Sequence, residues 1–198
     1  MPAPARFFVA LLPPQSVQAE ITAIKQDIWQ RFGSRAALSA PPHITLQPPF
    51  QWPLEQVSDL EQSLAALAQR QIPLPIALDG YSAFAPRVIY IDVVQTPGLM
   101  ALQPQLMAHL ETHCGICDPI AQTRAFVPHV TVGFRDLTPE AFHRAWAELA
   151  QRPFAAEFIA PKLTLLHYSA PQGQPEDERH RGQKWQIFAE FSLNASIL

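Results

Sequence analysis

The chain has 198 residues, of which 48% are hydrophobic, so it is long and apolar enough to build one domain with a sizeable core. Its formal net charge of −3 provides no overall positive field, which disfavours a basic nucleic-acid-binding protein of the usual kind. Because the longest apolar run, residues 7–12, cannot span a bilayer and residues 1–4 do not resemble a signal peptide, we expect a cytoplasmic protein with no membrane partner.

In chain order, residues 6–12 form an apolar run closed by two prolines, which predicts a buried strand. Residues 16–32 carry apolar side chains every three to four positions and predict an amphipathic helix that ends at Gly33. A short strand is predicted at residues 42–46, and apolar periodicity predicts a second helix at residues 57–67.

Residues 76–84 and 88–94 are predicted to form an antiparallel pair of strands. A third helix is predicted at residues 99–110, followed by an irregular segment at residues 114–126. A second short strand, at residues 128–132, has nearly the same sequence as the one at residues 42–46.

The last quarter of the chain predicts a helix with Thr138 as N-cap, strands within residues 154–168 and a final strand at residues 182–193. Between these strands, residues 170–183 lack apolar periodicity and form the longest candidate for a mobile loop. This order of elements indicates an α+β or α/β fold. Two half-domains related by a pseudo-two-fold axis would satisfy it.

The two short strands repeat one pattern, PHITL and PHVTV, with their histidines 86 residues apart. Side chains alternate along a strand, so His43 and Thr45 point the same way, as do His129 and Thr131. If the strands face each other across a groove, two imidazoles and two hydroxyls enter one small volume.

Such a set of groups suits in-line displacement at phosphorus, which needs a base on the attacking side and an acid on the leaving side. Two histidines can share one proton near neutral pH, and each threonine hydroxyl can donate to a phosphoryl oxygen. By strict alternation, Gly133 follows Thr131 on the same face, where a ligand would approach the backbone closely.

Other interpretations of the motifs remain open. A single His-x-Thr strand usually marks a half-exposed sheet edge, although a repeated one is harder to attribute to chance. Two histidines fall short of the three or four ligands that a zinc site needs, and no motif supplies the nucleophile of an acyl hydrolase.

A second cluster of reactive side chains contains His109, His113, Cys114 and Cys117. The expected explanation is a frayed helix end with buried or idle thiols. A metal site and a redox pair are the alternatives. The redox pair is disfavoured because no strand leads into the Cys-x-x-Cys segment.

The paired P-H-[IV]-T-[LV] segments resemble those of the two-histidine (2H) phosphoesterases, in the branch of 2′-5′ RNA ligases and RNA 2′,3′-cyclic phosphodiesterases. The resemblance covers most of the chain, including the opening strand at residues 6–10 and the segment at residues 86–90. It implies a bilobal, pseudo-two-fold α+β fold of two antiparallel-rich sheets flanked by helices, with a central cleft. Residues 1–198 would form a single domain of two intertwined lobes.

The resemblance also implies metal-independent opening of 2′,3′-cyclic phosphates to 2′-phosphates, with 2′-5′ RNA joining as a second activity. It implies no cofactor and no obligate protein partner, and its substrates would be RNA ends or small cyclic nucleotides. His43 and His129 would be the acid–base pair, and Thr45 and Thr131 would hold the phosphate. Our expectation is that His43 protonates the leaving 3′ oxygen and His129 activates water, although the sequence does not decide this order.

Further substrate-binding candidates are Phe8 and Tyr168, which can stack on a base, and Arg87 and Arg135, which can face phosphates. Arg124 and the basic residues 179–184 could add to a positive rim. Bacterial members of the family carry arginine immediately before the second Pro-His and two residues beyond that motif, whereas here Arg135 comes one place late. This departure leaves open how flanking nucleotides are bound, and therefore whether long RNA is a substrate.

The leading hypothesis is therefore a phosphodiesterase that acts on RNA ends or small cyclic nucleotides. A non-catalytic module that binds a nucleotide or phosphate on the same fold is the alternative.

Overall fold

The computed structural model describes residues 4–169 and 184–195, apart from the side chain of Gln122. The strands are β1 (Ala5–Leu11), β2 (Ile44–Trp52), β3 (Leu74–Phe84), β4 (Val88–Val93), β5 (His129–Gly133), β6 (Ala155–Ala160), β7 (Lys162–Tyr168) and β8 (Trp185–Ser192). The helices are α1 (Gln15–Phe32), α2 (Val57–Ala68), α3 (Pro97–Cys114), α4 (Pro119–Gln122) and α5 (Pro139–Leu149). Short 3-10 helices cover Ala36–Ser39 and Leu54–Gln56.

The strands form two four-stranded sheets, in the orders β2-β1-β7-β8 and β5-β4-β3-β6, with antiparallel pairing between neighbours. This arrangement confirms the α+β prediction of two antiparallel sheets flanked by helices. The predicted pairing of the strands at residues 76–84 and 88–94 is also confirmed, because β3 and β4 pair antiparallel from Leu78↔Val93 to Phe84↔Val88. Each motif strand is an edge strand, β2 of the first sheet and β5 of the second.

Two helices each follow a strand of one sheet and pack on the other sheet. Helix α1 follows β1 of the first sheet but packs on β5 of the second, while α3 follows β4 of the second sheet and packs on β2 of the first. The apolar stripe of α1, which includes Ile21, Ile24 and Ile28, is buried in the core, and each such side chain stabilises the fold by about 1.5–3 kcal/mol. Each motif strand is thus packed against a helix that follows a strand of the other sheet.

Three elements differ in extent from the prediction. Strand β2 continues through Pro48 and Pro49 to Trp52, which an edge strand tolerates because one side of its backbone needs no ladder hydrogen bonds. Helix α3 begins at Pro97, with Thr96 as its N-cap, and a short helix α4 lies within the segment predicted to be irregular. The carboxylate of Asp118 caps α4, accepting from the backbone N–H groups of Ile120 and Ala121.

The loop prediction at residues 170–183 and the basic triplet at residues 179–181 lie outside the described residues. Within residues 4–169 and 184–195, no helix combines the length and the apolar character needed to cross a membrane.

Candidate active site

The two motif histidines stand at the start of two facing edge strands. His43 immediately precedes β2 and His129 is the first residue of β5. Residues of β2 and β5 lie within 8 Å of each other, measured between Cα atoms. The structure therefore brings together two motifs that are 86 residues apart in the sequence.

Both imidazole rings are anchored in the same way. The Nδ1 atom of His43 lies 2.7 Å from the carbonyl oxygen of Pro41, and the Nδ1 atom of His129 lies 2.7 Å from that of Val127. Because a carbonyl oxygen only accepts, each Nδ1 must carry the proton. The Nε2 atom of each ring is therefore the basic atom of the neutral form and the acidic site of the cation.

Aromatic side chains form a wall beside His43. The ring of Phe8 lies 4.7 Å from that of His43, and Trp185 packs edge-on against Phe8 at 4.6 Å. Tyr168 in turn contacts Trp185 at 5.3 Å. The predicted stacking candidates Phe8 and Tyr168 thus belong to one row of rings that starts at the first histidine.

A second pair of aromatic rings flanks His129. Phe84 contacts the His129 ring edge-on at 5.2 Å, and Tyr90 lies 5.0 Å away. Phe84 is 43% exposed, so its ring is open to a ligand as well as to the histidine. Asp92 is the direct partner of His129 in the β4–β5 ladder, which sets a carboxylate beside the second motif.

A buried lysine lies beneath the first motif. Lys25, on α1, is only 3% exposed, and its Nζ donates to the carbonyl oxygen of Ala40 at 3.2 Å. Burial lowers the pKa of Lys25 from 10.5 to about 7, because the cation loses its hydration. Lys25 thus places a positive charge near His43, and its hydrogen bond also holds the backbone that leads to His43.

The two histidines have different electrostatic environments. The pKa of His43 is lowered to about 4, first by burial and then by the charge of Lys25, against the opposing effect of the hydrogen bond to the Pro41 carbonyl. Burial also lowers the pKa of His129, but the hydrogen bond to the Val127 carbonyl and the charge of Asp92 oppose this shift. Both rings of the unliganded protein therefore favour the neutral form near pH 7.

The remaining predicted site residues are two half-buried threonines on the motif strands and two exposed arginines. Thr45 and Thr131 are half-buried on the motif strands, opposite Ala10 and Tyr90 in their ladders. Arg87 is exposed in the turn after β3, where its backbone N–H donates to the carbonyl oxygen of Phe84. Arg135 is exposed as well, and its guanidinium packs 5.3 Å from the ring of its neighbour Phe134.

The expectation that Gly133 opens the backbone to a ligand was wrong. A register shift between Ile89 and Tyr90 breaks strict alternation, and a Cβ atom at Gly133 would lie 2.9 Å from Leu137 and 3.6 Å from Ile28. The lack of a side chain at Gly133 therefore lets core residues pack closely against its backbone, and it does not make room for a substrate.

The cluster near Cys114 is part of an ordered helix end. The Nε2 atom of His109 contacts the hydroxyl and carbonyl oxygens of Ser63, and the His113 ring stacks on that of His109 at 4.1 Å. Backbone N–H groups of Gly115 and Ile116 satisfy the last carbonyls of α3, so the helix end is capped rather than frayed. Across residues 4–169 and 184–195, no three His, Cys, Asp or Glu side chains are grouped as a metal site requires.

Sequence reasoning missed Lys25, Phe84, Asp92 and Trp185 as parts of the site. Lys25 did carry a signal, because it falls within the apolar stripe of α1, between Ile24 and Ile28. A lysine at such a position must be buried or must bend away to solvent. The other three carried no signal of their own, since their role depends on which strands become neighbours.

Comparisons with known proteins agree with this geometry. The profile described as the 2′-5′ RNA ligase superfamily matches residues 13–172. "Putative phosphoesterase GK0864" of Geobacillus kaustophilus (strain HTA426) is 29% identical over 164 residues, covering 82% of this chain and 87% of the relative. A similarly named phosphoesterase of Geobacillus thermodenitrificans (strain NG80-2) is 33% identical with the same coverage.

Two solved structures have the same fold. TT0787 of Thermus thermophilus superposes with a TM-score of 0.67 at 21% identity, covering 96% of this chain and 99% of that chain. The apo form of E. coli LigT gives a TM-score of 0.62 at 20% identity, covering 96% and 98%. Because the family profile spans most of the chain and the chain carries two His-x-Thr segments on neighbouring edge strands, this protein belongs to the 2′-5′ RNA ligase superfamily of two-histidine phosphoesterases.

Proposed function

We propose that this protein is a phosphodiesterase that opens 2′,3′-cyclic phosphates to 2′-phosphates without a metal ion. The observation that supports this most strongly is the matched anchoring of His43 and His129, each by a 2.7 Å contact from Nδ1 to a backbone carbonyl. Two such rings on facing strands present one Nε2 atom each, as acid–base catalysis of in-line displacement requires. Relatives named as phosphoesterases support the reaction class, and the cyclic substrate is our own inference.

The reaction balances with these groups alone. A base takes a proton from water as the water oxygen bonds to phosphorus, and the bond from phosphorus to the 3′ oxygen breaks. The acid gives its proton to that 3′ oxygen, which leaves a 2′-phosphate. The hydroxyls of Thr45 and Thr131 donate to the non-bridging oxygens, where negative charge concentrates in the transition state.

The charges around the rings favour the reverse of the order expected from the sequence. The cation of Lys25 disfavours an imidazolium at His43, whereas the carboxylate of Asp92 favours one at His129. We therefore assign His43 as the base that activates water and His129 as the acid that protonates the leaving oxygen.

An activated substrate tests this order of roles. A p-nitrophenyl phosphodiester has a leaving group that needs no proton, so loss of the acid should matter little for it. We expect His129→Ala to retain far more activity on this ester than His43→Ala does. The opposite ranking would restore the order expected from the sequence.

The function itself is tested by hydrolysis of the four nucleoside 2′,3′-cyclic monophosphates and a short RNA with a cyclic end. The assay contains EDTA and separates 2′- from 3′-phosphate products. We expect 2′-phosphate from the wild type and a loss of at least a hundredfold in kcat for His43→Ala and His129→Ala. His143→Ala, which changes an exposed histidine on α5, is the matched control and should stay fully active.

Unaltered turnover in either motif variant would exclude the mechanism. Tight binding of these nucleotides without any hydrolysis by the wild type would instead identify a binding module of the same fold.

A further inference from the structure

A cleft of about 720 Å³ has Ser39, four residues before His43, in its lining. Helix α1 and the 3-10 helix Ala36–Ser39 form one side, and the ends of β7 and β8 form the other. The side chains that matter for its chemistry are Trp29, Arg35, Asp136, Tyr168 and Lys184. Of these, the sequence predicted Tyr168 as a stacking residue and Lys184 as part of a positive rim.

The cleft is continuous with the first histidine through side chains and backbone. Tyr168 lines the cleft and also ends the row of rings that begins at His43 and passes through Phe8 and Trp185, with centroids 4.6–5.3 Å apart. The backbone N–H of Lys184 donates to the carbonyl oxygen of Ser39 at 2.8 Å, four residues before His43. Tyr168 and Ser39 therefore connect the lining of the cleft to the surroundings of His43.

The charges of the cleft favour an anion. Its cations are Arg35, whose guanidinium lies 5.0 Å from the centre of the Trp29 ring, and Lys184. Its carboxylate, Asp136, is already committed, because it accepts from the Ser34 hydroxyl at 2.6 Å and from two backbone N–H groups at 2.6 and 2.8 Å. The Asp136 oxygens thus already have hydrogen-bond donors, and the two cations of the cleft outnumber its one carboxylate.

The cleft also offers flat apolar surface. The indole of Trp29 is 40% exposed, although tryptophan is among the side chains that gain most from being covered. Tyr168 presents a second, half-buried ring on the opposite side. Aromatic rings next to cations are the combination that binds a base and its phosphate in single-stranded nucleic acids.

We propose that this cleft is a second nucleotide subsite, which binds the residue on the 5′ side of a 2′,3′-cyclic phosphate at the end of an RNA strand. The proposal rests on the proposed function of the catalytic groove. A cyclic phosphate ends the strand, so the only neighbouring nucleotide is on its 5′ side. The base of that nucleotide stacks on Trp29 or Tyr168, and its phosphate meets Arg35 and Lys184. RNA ends of two or more nucleotides are therefore better substrates than cyclic mononucleotides.

The test compares kcat/KM for a cyclic mononucleotide and for a dinucleotide with the same cyclic end. We expect the wild type to prefer the dinucleotide by about tenfold or more, the value that one stacked base provides. Trp29→Ala and Arg35→Gln should each remove most of this preference and leave kcat/KM for the mononucleotide within about twofold of wild type. Arg70→Gln, which changes an exposed arginine after α2, is the matched control and should keep the preference.

Equal kcat/KM values for the two substrates in the wild type would overturn the subsite, as would variants that slow both substrates equally. A separate measurement keeps this result distinct from failure of the proposed function. Binding of the 2′-phosphorylated dinucleotide is followed by tryptophan fluorescence in the wild type and by calorimetry in the two variants. If no cyclic phosphate is hydrolysed but both variants bind this dinucleotide at least about fivefold more weakly than the wild type does, the subsite is supported and the proposed function is excluded. If the variants bind it as tightly as the wild type, the subsite is excluded.

Discussion

The ammonium group of Lys25 donates a hydrogen bond to the carbonyl oxygen of Ala40, 3.2 Å away, and Ala40 lies three residues before His43. The next carbonyl along the chain, that of Pro41, holds the His43 ring through Nδ1. One buried cation thus anchors the backbone that fixes the first histidine and also acts on its charge. This relationship connects the core of the protein to the acid–base chemistry of the site.

Replacing Lys25 with methionine should move the acid limb of the pH–rate profile to higher pH. In the wild type the lowered pKa values of both histidines place the maximum of kcat/KM below pH 6.5. With a pKa of about 7, Lys25 is charged across this range and lowers the pKa of His43. Removing the charge of Lys25 should therefore raise the pKa of His43. The control is Lys162→Met, which changes an exposed lysine paired with Glu190 and should leave the pH–rate profile unchanged. An acid limb that does not move would contradict the proposed action of Lys25.

The same substitution should change how stability depends on pH. The folded-state pKa of Lys25, about 7, lies below its ordinary value of 10.5, so the unfolded chain binds the proton more tightly. The free energy of unfolding of the wild type should therefore rise with pH between about 7 and 10.5 because of this residue.

The free energy of unfolding of Lys25→Met should not show this rise with pH. At pH 7 the variant should be more stable than the wild type by a few kcal/mol, because no buried cation has to be desolvated. Loss of the hydrogen bond to Ala40 reduces this gain by about 1 kcal/mol. Urea unfolding at several pH values measures both effects. A lower unfolding midpoint for the methionine variant at pH 7 would show that the ammonium group stabilises the fold instead.

Thr45→Ala and Thr131→Ala should each lower kcat by about ten- to a thousandfold, because each removes a hydroxyl that we propose donates to the phosphoryl oxygens. Thr45→Ser and Thr131→Ser retain the hydroxyl and are the matched controls, with activity expected within about tenfold of wild type. Initial rates on a cyclic mononucleotide give kcat and KM for all four variants. Alanine variants with normal kcat would assign both threonines to packing alone.

Asp136→Ala should destabilise the protein by about 1–3 kcal/mol, because it removes the acceptor of three hydrogen bonds that join the end of α1 to the segment after β5. Asp27→Ala, which breaks only an exposed ion pair with Arg31, should lower the unfolding midpoint far less. The difference in urea midpoint between the two variants checks the prediction. Equal midpoints would mean that solvent replaces the three hydrogen bonds without loss.

The helices and strands could be predicted well from local periodicity. The stripe of α1 and the alternation in β5 are visible in the sequence because the periods of 3.6 and 2 residues are properties of single elements. The limits of β2 were predicted less well, since Pro48 and Pro49 signal a break unless the strand is known to lie at an edge. Gly133 was misplaced because a register shift is a property of two paired strands.

The repeated His-x-Thr pattern by itself indicated four residues for phosphoryl chemistry, since residue type and alternation suffice to state that chemistry, and its resemblance to a known family is confirmed by the profile match. Only the tertiary structure decided that β2 and β5 are facing edges, that Lys25 lies under His43, and that Trp185 links Phe8 to Tyr168. The physical reason is that side-chain periodicity acts over a few residues, whereas burial, charge proximity and ring contacts depend on segments far apart in the chain. The lowered pKa of His43 belongs to this second class, because burial and Lys25 set it together.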